Sequence, residues 1–243
     1  MPSNTSKGFT PRSRPWDALA LLASLGRKDV ALSNDALAPY LELIDYSMVT
    51  EFDSQNFDAF LSKLEGDGLS FTPEFTTFRE VWRRDEWNHY VGYRRLVNIL
   101  TGVPEAELHQ RTLSRPSDFG EIATFLQDEF LICMTFAYDE IVTRHACSMA
   151  KDIYRAFGHE TFLTWIYLVG RDEAWHFMNL VEVIRLRHQH RLGECAAVLE
   201  RLLAWDRERR PYHSTFVLDH DLDLLGEATL RRCANILYRA VLR

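Results

Sequence analysis

A six-residue motif, R-D-E-x-x-H, occurs twice in this chain, at residues 84–89 and 171–176. Both copies lie in long stretches whose apolar residues recur every three or four positions, which is the spacing of an amphipathic helix. Residues three apart lie on the same side of an α-helix. Glu86 with His89, and Glu173 with His176, can therefore each present a carboxylate and an imidazole to one point. Two such helices facing each other would hold the donor atoms of a metal site.

The charged pairs interrupt helix faces that are otherwise apolar. These faces carry, in the first stretch, Phe75, Phe78, Trp82, Tyr93, Leu96 and Leu100, and in the second, Ile166, Val169, Gly170, Leu180 and Ile184. An ionised group on a core-facing helix is costly, by roughly several kcal/mol, unless it is paired or binds a metal. Buried salt bridges in a plain helical bundle are the alternative. The recurrence of Glu and His at matched positions favours a metal site.

The same periodicity covers most of the chain, and alternating strand-like runs are nearly absent, which predicts an all-α fold. We predict four long helices and then two shorter ones, over residues 34–64, 72–102, 119–157, 160–192, 194–209 and 222–242. The third segment is long enough to require a kink or two helices in line. The polar, Ser- and Pro-rich residues 1–15 predict a flexible N-terminal arm, and residues 16–243 a single domain.

Two single glutamates complete the predicted metal site. Glu51 lies near the middle of the first helix, on the face of Ile44 and Met48, and Glu140 lies near the middle of the third, in line with Thr143. With the repeated motifs they supply four carboxylates and two imidazoles, the donor set of a carboxylate-bridged di-iron bundle. Two ferrous ions would balance those carboxylates. Oxygen and nitrogen ligands suit iron, with manganese as the alternative metal.

An aspartate precedes the glutamate in each copy of the motif. We expect each aspartate to accept the free ring N–H of the histidine on the opposite helix, Asp172 for His89 and Asp85 for His176. Such partners fix the tautomer of a metal-bound imidazole. A solvated or helix-bridging carboxylate is the alternative.

Composition argues against several classes of function. A net charge of -7 over 243 residues argues against nucleic-acid binding, which requires a basic surface. The longest apolar run, residues 162–169, is far shorter than the roughly 18 residues of a membrane span. No apolar segment begins early enough for a secretory signal, so we expect a cytoplasmic protein. The four cysteines show no C-x-x-C spacing, which predicts reduced thiols.

The ligand segments resemble those of the soluble acyl-acyl-carrier-protein desaturases of the ferritin-like superfamily. Residues 48–51, 82–89 and 171–176 are similar to that family's ligand motifs on its first, second and fourth helices. The resemblance covers about residues 40–185, in a chain shorter than the plant desaturases. It implies a ferritin-like four-helix bundle core with flanking helices, two iron ions, and dioxygen-dependent desaturation or hydroxylation of an unactivated C–H bond.

The resemblance also implies roles for individual residues. Thr143 takes the place of a threonine beside the dioxygen pocket, where it would donate a hydrogen bond to bound oxygen or relay a proton. Trp16 is a candidate for the tryptophan of the family's electron-transfer route, although we interpret it first as a packing anchor. Aromatic side chains are expected to line the substrate cavity, with core packing as the alternative: Phe78, Trp82, Tyr93, Phe136 and Phe177.

The expected partners follow from the same resemblance. They are an external electron donor (a ferredoxin with its reductase), a second copy of the chain in a homodimer, and an acyl thioester on a carrier protein or coenzyme A, or a related small molecule. An acidic carrier protein would require a basic surface, for which the candidates near the end of the fourth helix are Arg185, Arg187, Arg191, Arg207, Arg209 and Arg210. Solvated arginines that complement the helix dipole are the alternative.

Other functions stay open at this point. An arylamine N-oxygenase of the same fold is the main rival enzyme, although such proteins usually have a histidine one turn before the last glutamate, where this chain has Val169. A ferroxidase or iron-storage protein would use the same residues with iron as the substrate. A metal-free binding or scaffold protein would keep only the helices.

Overall fold

The computed structural model describes residues 8–208, 217–218, 220 and 225–243. All regular secondary structure in these ranges is helical, which confirms the all-α prediction. The α-helices are α1 (Ala18–Leu22), α2 (Asn34–Gly66), α3 (Pro73–Thr101), α4 (Glu105–Leu113), α5 (Glu129–Met149), α6 (Lys151–Ala156), α7 (Glu160–Arg187), α8 (Cys195–Glu208) and α9 (Glu227–Leu242). Short 3₁₀ helices lie at Arg27–Asp29, Gly120–Phe125 and Gln189–Glu194.

Capping residues set the ends of the helix that carries the first motif. The side chain of Thr72 accepts a hydrogen bond from the backbone N–H of Phe75, and Pro73 occupies the first helical position. The helix ends at Gly102, whose φ of 78° is the left-handed conformation that glycine adopts without strain. Both ends lie where the sequence predicts them.

The third predicted helix differs from the structure at its start. Residues 120–125 form a 3₁₀ helix, and α5 begins only at Glu129, because the side chain of Asp128 caps it by accepting from the N–H of Leu131. After Met149 a single residue, Ala150, separates α5 from α6. The fourth predicted helix also ends early, at Arg187, and the 3₁₀ turn that follows covers its predicted last residues. Of the two final predicted helices, residues 209 and 222–224 lie outside the described ranges.

The four long helices pack in pairs, α2 along α3 and α5 along α7, and the pairs meet where α3 contacts α7. Two apolar clusters fill the interior and follow each other along the helix axes. One contains Phe78 and Trp82 of α3 with Leu180 of α7, and the other contains Tyr93 of α3 with Trp165 of α7. The two R-D-E-x-x-H motifs lie between the clusters. The metal-ligand candidates therefore occupy a polar layer with apolar packing on both sides.

The N-terminal segment lies against α7. The backbone N–H of Arg12 donates to Asn179 Oδ1 at 2.8 Å, and the carbonyl of Arg12 accepts from Asn179 Nδ2 at 3.0 Å. Arg171 donates to the carbonyl of Arg14. Part of the predicted flexible arm is thus hydrogen bonded to the helices, while residues 1–7 lie outside the described ranges.

Two further predictions concern the surface and the thiols. Across the described residues, every helix is too short or too polar to cross a membrane. Cys133, Cys147, Cys195 and Cys233 are buried free thiols. Burial raises the pKa of Cys133 well above its usual value, which keeps this thiol protonated and unreactive.

Candidate metal centre

The six candidate ligand side chains converge in the polar layer between the four long helices. All are at least nine-tenths buried, and they are Glu51 from α2, Glu86 and His89 from α3, Glu140 from α5, and Glu173 and His176 from α7. Their donor atoms form two groups, each with all atoms within 4.8 Å of one another. One group consists of Glu51, Glu86, His89 and Glu173, and the other of Glu86, Glu140, Glu173 and His176.

Glu86 and Glu173 belong to both groups, as two bridging carboxylates would. Each histidine turns its Nδ1 atom inward: His89 Nδ1 lies 3.4 Å from Glu51 Oε2 and 3.3 Å from Glu173 Oε1. His176 Nδ1 lies 3.2 Å from Glu86 Oε1 and 3.3 Å from Glu140 Oε2. Each group therefore offers one imidazole, one carboxylate of its own and two shared carboxylates.

The outward ring nitrogens of the histidines face the aspartates of the opposite motif. His89 Nε2 lies 3.3 Å from Asp172 Oδ2, and His176 Nε2 lies 3.5 Å from Asp85 Oδ2. An N–H group on Nε2 that donates to a carboxylate leaves the lone pair on Nδ1, which is the atom that points into the site. With metal bound, the two aspartates would favour the tautomer that a metal ligand requires.

Orphaned polar atoms indicate that the donor set fits metal ions. Among the described residues, Glu51 Oε2 and His89 Nδ1 are buried and make no hydrogen bond. Buried donors and acceptors are almost always partnered, so a pair of orphans aimed at each other needs a ligand between them. Oxygen and imidazole donors suit iron, manganese or zinc.

The electrostatics of the metal-free site agree with this assignment. Burial and the neighbouring carboxylate of Glu86 raise the pKa of Glu51 well above its usual value. Burial also raises the pKa of Glu140. Burial lowers the pKa of His89, but the charge of Glu51 and hydrogen bonds donated to nearby carboxylates outweigh it, so the net shift is upward. Protons thus offset carboxylate charge that two divalent cations would neutralise.

Thr143 borders two cavities beside the candidate metal centre. The smaller, of about 50 Å³, is lined by the ligand carboxylates together with Thr50, Asp139 and Thr143. The larger, of about 130 Å³, shares Thr50, Glu51, Asp139 and Thr143 with it and extends between α2 and α5. A small molecule in the larger cavity would lie next to the metal ligands.

Most of the aromatic residues predicted to line the cavity lie elsewhere. Tyr93 does line the larger cavity, beside Tyr46 and Tyr154. The other four pack in the apolar cluster on the far side of the polar layer: Phe78, Trp82, Phe136 and Phe177. Those four residues are therefore part of the core, which is the alternative interpretation of their helical spacing.

Trp16 contacts the candidate metal centre through Asp172. Its Nε1–H donates to Asp172 Oδ2 at 2.6 Å, the same oxygen that faces His89. The Trp16 ring also packs edge-on against Trp165, with the ring centroids 5.4 Å apart. Trp16 is therefore a packing anchor that is also connected, through one carboxylate, to the candidate ligand His89.

A second buried polar cluster lies at the wall of the larger cavity, and sequence reasoning missed it. Tyr138 Oη donates to Asp206 Oδ2 at 2.8 Å, and His220 Nδ1 lies 2.8 Å from that same oxygen. His220 Nε2 lies 3.3 Å from Asp139 Oδ1. These residues come from α5, α8 and the segment before α9, so no local spacing links them. The one local signal of this cluster in the sequence is Asp139, which directly precedes the candidate ligand Glu140.

A third group of potential donors, Glu129, Cys133 and His188, joins helix ends. Glu129 accepts from the backbone N–H and hydroxyl of Thr72, the N-cap of α3, and its Oε1 lies 2.9 Å from His188 Nε2, at the end of α7. The carboxylate oxygens are thus occupied by contacts that hold α3, α5 and α7 together. We interpret this group as structural.

Several arginines of the predicted docking surface are engaged in ion pairs. Arg187 pairs with Glu74, Arg191 with Asp128 and Glu194, and Arg207 with Glu227. Arg209 and Arg210 lie outside the described residues. Carrier-protein docking stays a prediction.

Comparisons with protein-family models, with curated proteins and with solved structures each found no match.

Proposed function

We propose that this chain is a ferritin-like, non-heme di-iron oxidoreductase that uses dioxygen to desaturate or oxygenate a small organic substrate. The observation that carries the proposal is the pair of donor groups that share Glu86 and Glu173 and open onto a cavity. Two shared carboxylates would hold two ions close together, as in di-iron carboxylate proteins. A cavity beside them gives room for a substrate.

With two iron ions bound, the site would supply the dioxygen activation needed to break an unactivated C–H or N–H bond. Both desaturation and hydroxylation consume one dioxygen molecule and two electrons from an external donor, for which a ferredoxin with its reductase is the expected partner. The chain from Trp16 through Asp172 to His89 supports a route by which those electrons enter. An acyl thioester substrate stays a prediction.

The residues of the chain have distinct roles in this proposal. Asp85 and Asp172 keep the proton on Nε2 of each histidine, so that Nδ1 is the ligand atom. The hydroxyl of Thr143, at the boundary of both cavities, can donate to an oxygen atom beside the metal ligands. The apolar clusters on both sides of the polar layer exclude water from the reaction.

Metal analysis combined with dioxygen consumption tests the proposal. We expect the purified chain to bind two ferrous ions without dioxygen, and a Mössbauer spectrum to show a coupled pair after oxidation. Glu173→Ala should lose both ions because Glu173 is shared, whereas Glu80→Ala, on the exposed face of α3, should keep both.

The same experiment separates the alternatives. Absence of metal, or a single ion per chain, would exclude a di-iron enzyme and leave a structural role. Turnover of added ferrous iron by a large multi-subunit shell would indicate iron storage. Reductant-dependent product formation by a small oligomer supports the oxidoreductase.

A further inference from the structure

Asp139 occupies the boundary between the larger cavity and the metal centre. It precedes the ligand Glu140 and lies one helical turn before Thr143, and it lines both cavities. Asp139 is buried, with 11% of its side chain exposed. Asp139 is therefore a buried carboxylate at the place where a substrate would meet the metal ligands.

Among the described residues, the contacts of this carboxylate fall on one oxygen. Oδ1 accepts from the backbone N–H of Leu218 at 2.8 Å and lies 3.3 Å from His220 Nε2. Within the described part of the chain, Oδ2 receives no hydrogen bond. Oδ2 can therefore accept a hydrogen bond from a molecule in the cavity, and such a bond is needed once that molecule displaces water from this oxygen.

The charges around the cavity favour a cationic or hydrogen-bond-donating ligand. Lysine and arginine are missing from the described residues that line the two cavities. His220 also lines the larger cavity, and both its ring nitrogens already face carboxylates, those of Asp206 and Asp139. Among the described residues, this wall presents the carboxylates of Asp139 and Asp206 with the single imidazole of His220 between them. A substrate carboxylate would meet neither lysine nor arginine among these described lining residues.

An apolar acyl chain fits this wall poorly as well. It would exclude water from Asp139 Oδ2 without offering a donor in exchange. An amine would supply the missing donor. The cavity of about 130 Å³ is also small, close to the cavity size that holds one benzene molecule in other proteins.

We infer that the substrate of this centre is a small amine, whose N–H group donates to Asp139 Oδ2. This inference rests on the proposed function and names its substrate class. The same carboxylate borders the metal cavity, so an amine held there has its nitrogen and neighbouring carbon beside Thr143 and the ligands Glu51 and Glu140. Asp139 is then a substrate-binding residue, and Thr50 and Tyr154 are among the other polar residues of the lining.

Binding to the iron-loaded chain without dioxygen tests the inference, because no turnover can occur. The probes are three molecules of similar size, benzylamine, benzyl alcohol and benzoate, with the octanoyl thioester of N-acetylcysteamine as an acyl probe. Isothermal titration calorimetry gives the dissociation constants. We expect benzylamine to bind most tightly, with a dissociation constant at least about 10-fold lower than that of benzoate.

Asp139→Asn should weaken benzylamine binding about 10- to 100-fold and leave benzyl alcohol nearly unchanged, because the amide keeps the acceptor for Leu218 but loses the charge. Asp118→Asn is the matched control, since exposed Asp118 also accepts a backbone N–H, from Gly120. If Asp139→Asn does not fold, the order of the four dissociation constants for the unmodified chain still tests the inference.

Failure of this inference differs from failure of the proposed function. The amine inference is overturned if the octanoyl thioester or benzoate binds more tightly than benzylamine. It is also overturned if Asp139→Asn leaves the benzylamine affinity unchanged. In either case, two bound iron ions would still support the proposed oxidoreductase. A chain that does not bind iron fails at the first step and overturns both.

Discussion

The polar positions of the repeated motif each make a defined contact. Arg84 donates through Nε and Nη2 to Asp85 Oδ1, and the other oxygen of Asp85 faces His176. Arg171 makes the same contacts with Asp172 Oδ1. The arginine fixes the aspartate, the aspartate orients the histidine of the opposite helix, and the glutamate is the shared ligand candidate. The repeat is thus one arrangement used twice across the interface of α3 and α7.

Replacing Asp172 by Asn tests this arrangement. An amide in place of the carboxylate weakens the hydrogen bond from His89 Nε2 and allows the wrong tautomer, so we expect metal affinity to fall about 10- to 100-fold. Competition with a chelator measures the change. Asp152→Asn, on the surface of α6, should have no effect. Equal affinities of Asp172→Asn and the unmodified chain would show that Asp172 does not orient His89.

The role of the Thr143 hydroxyl can be tested without knowing the substrate. Thr143→Val keeps the side-chain shape, so two ferrous ions should still bind. We expect dioxygen to oxidise the ferrous centre about 10- to 100-fold more slowly, because a lost hydrogen bond to a charged oxygen costs roughly 1.5–3 kcal/mol. Stopped-flow absorption measures the rate. Thr164→Val, at an exposed position of α7, is the control, and an equal rate in both variants would contradict a role for this hydroxyl.

At the scale of helices, the sequence predicts those helix ends that nearby capping residues determine. The cap at Thr72, Pro73 and the glycine at 102 are local signals, and α3 has the predicted ends. Apolar periodicity does not distinguish an α-helix from a 3₁₀ helix followed by a new start, so residues 120–125 were wrongly joined to α5. The cap at Asp128 was the local signal for the true start.

The residues of the candidate site also differ in whether local sequence predicts them. Glu86, His89, Glu173 and His176 follow from helical spacing, and the structure brings them together. The cluster around His220 could not be predicted, because its members come from helices and segments distant in sequence and meet only through tertiary packing.

The contact between α3 and α7 depends on one small residue. A Cβ atom at Gly92 would lie 2.1 Å from the ring of Trp165, which is fully buried. We expect Gly92→Ala to lower the free energy of unfolding by about 1–3 kcal/mol, because overpacking exceeds the gain of about 1 kcal/mol in helix propensity.

Gly66→Ala is the matched control for that helix–helix contact, since Gly66 is also helical but has no atom near its Cβ position. It should be neutral or stabilising, by up to about 1 kcal/mol. Urea denaturation followed by circular dichroism measures both variants. A Gly92→Ala chain as stable as Gly66→Ala would show that Trp165 can move aside freely.

At the scale of the whole molecule, a charged layer divides one helical core into two apolar clusters. Without metal, this layer is held by protons: the pKa values of Glu51, Glu140, His89 and His176 are all raised. The folded metal-free chain therefore binds more protons than the unfolded chain above the usual histidine pKa of 6.5. Its stability must fall as the pH rises through the raised histidine pKa values.

Metal binding should reverse this pH dependence. The ions displace the protons, so metal affinity rises with pH, and the metal-bound chain gains stability, by about 2.7 kcal/mol when free metal is 100 times its dissociation constant. We expect denaturation curves between about pH 6 and 8 to diverge: the metal-free chain becomes less stable, and the difference between metal-bound and metal-free chains grows. His176→Gln should reduce this divergence, while Glu80→Gln should not. Because proton release and metal binding are the same event in this account, parallel curves with and without ferrous iron would show that the buried layer is not a metal centre.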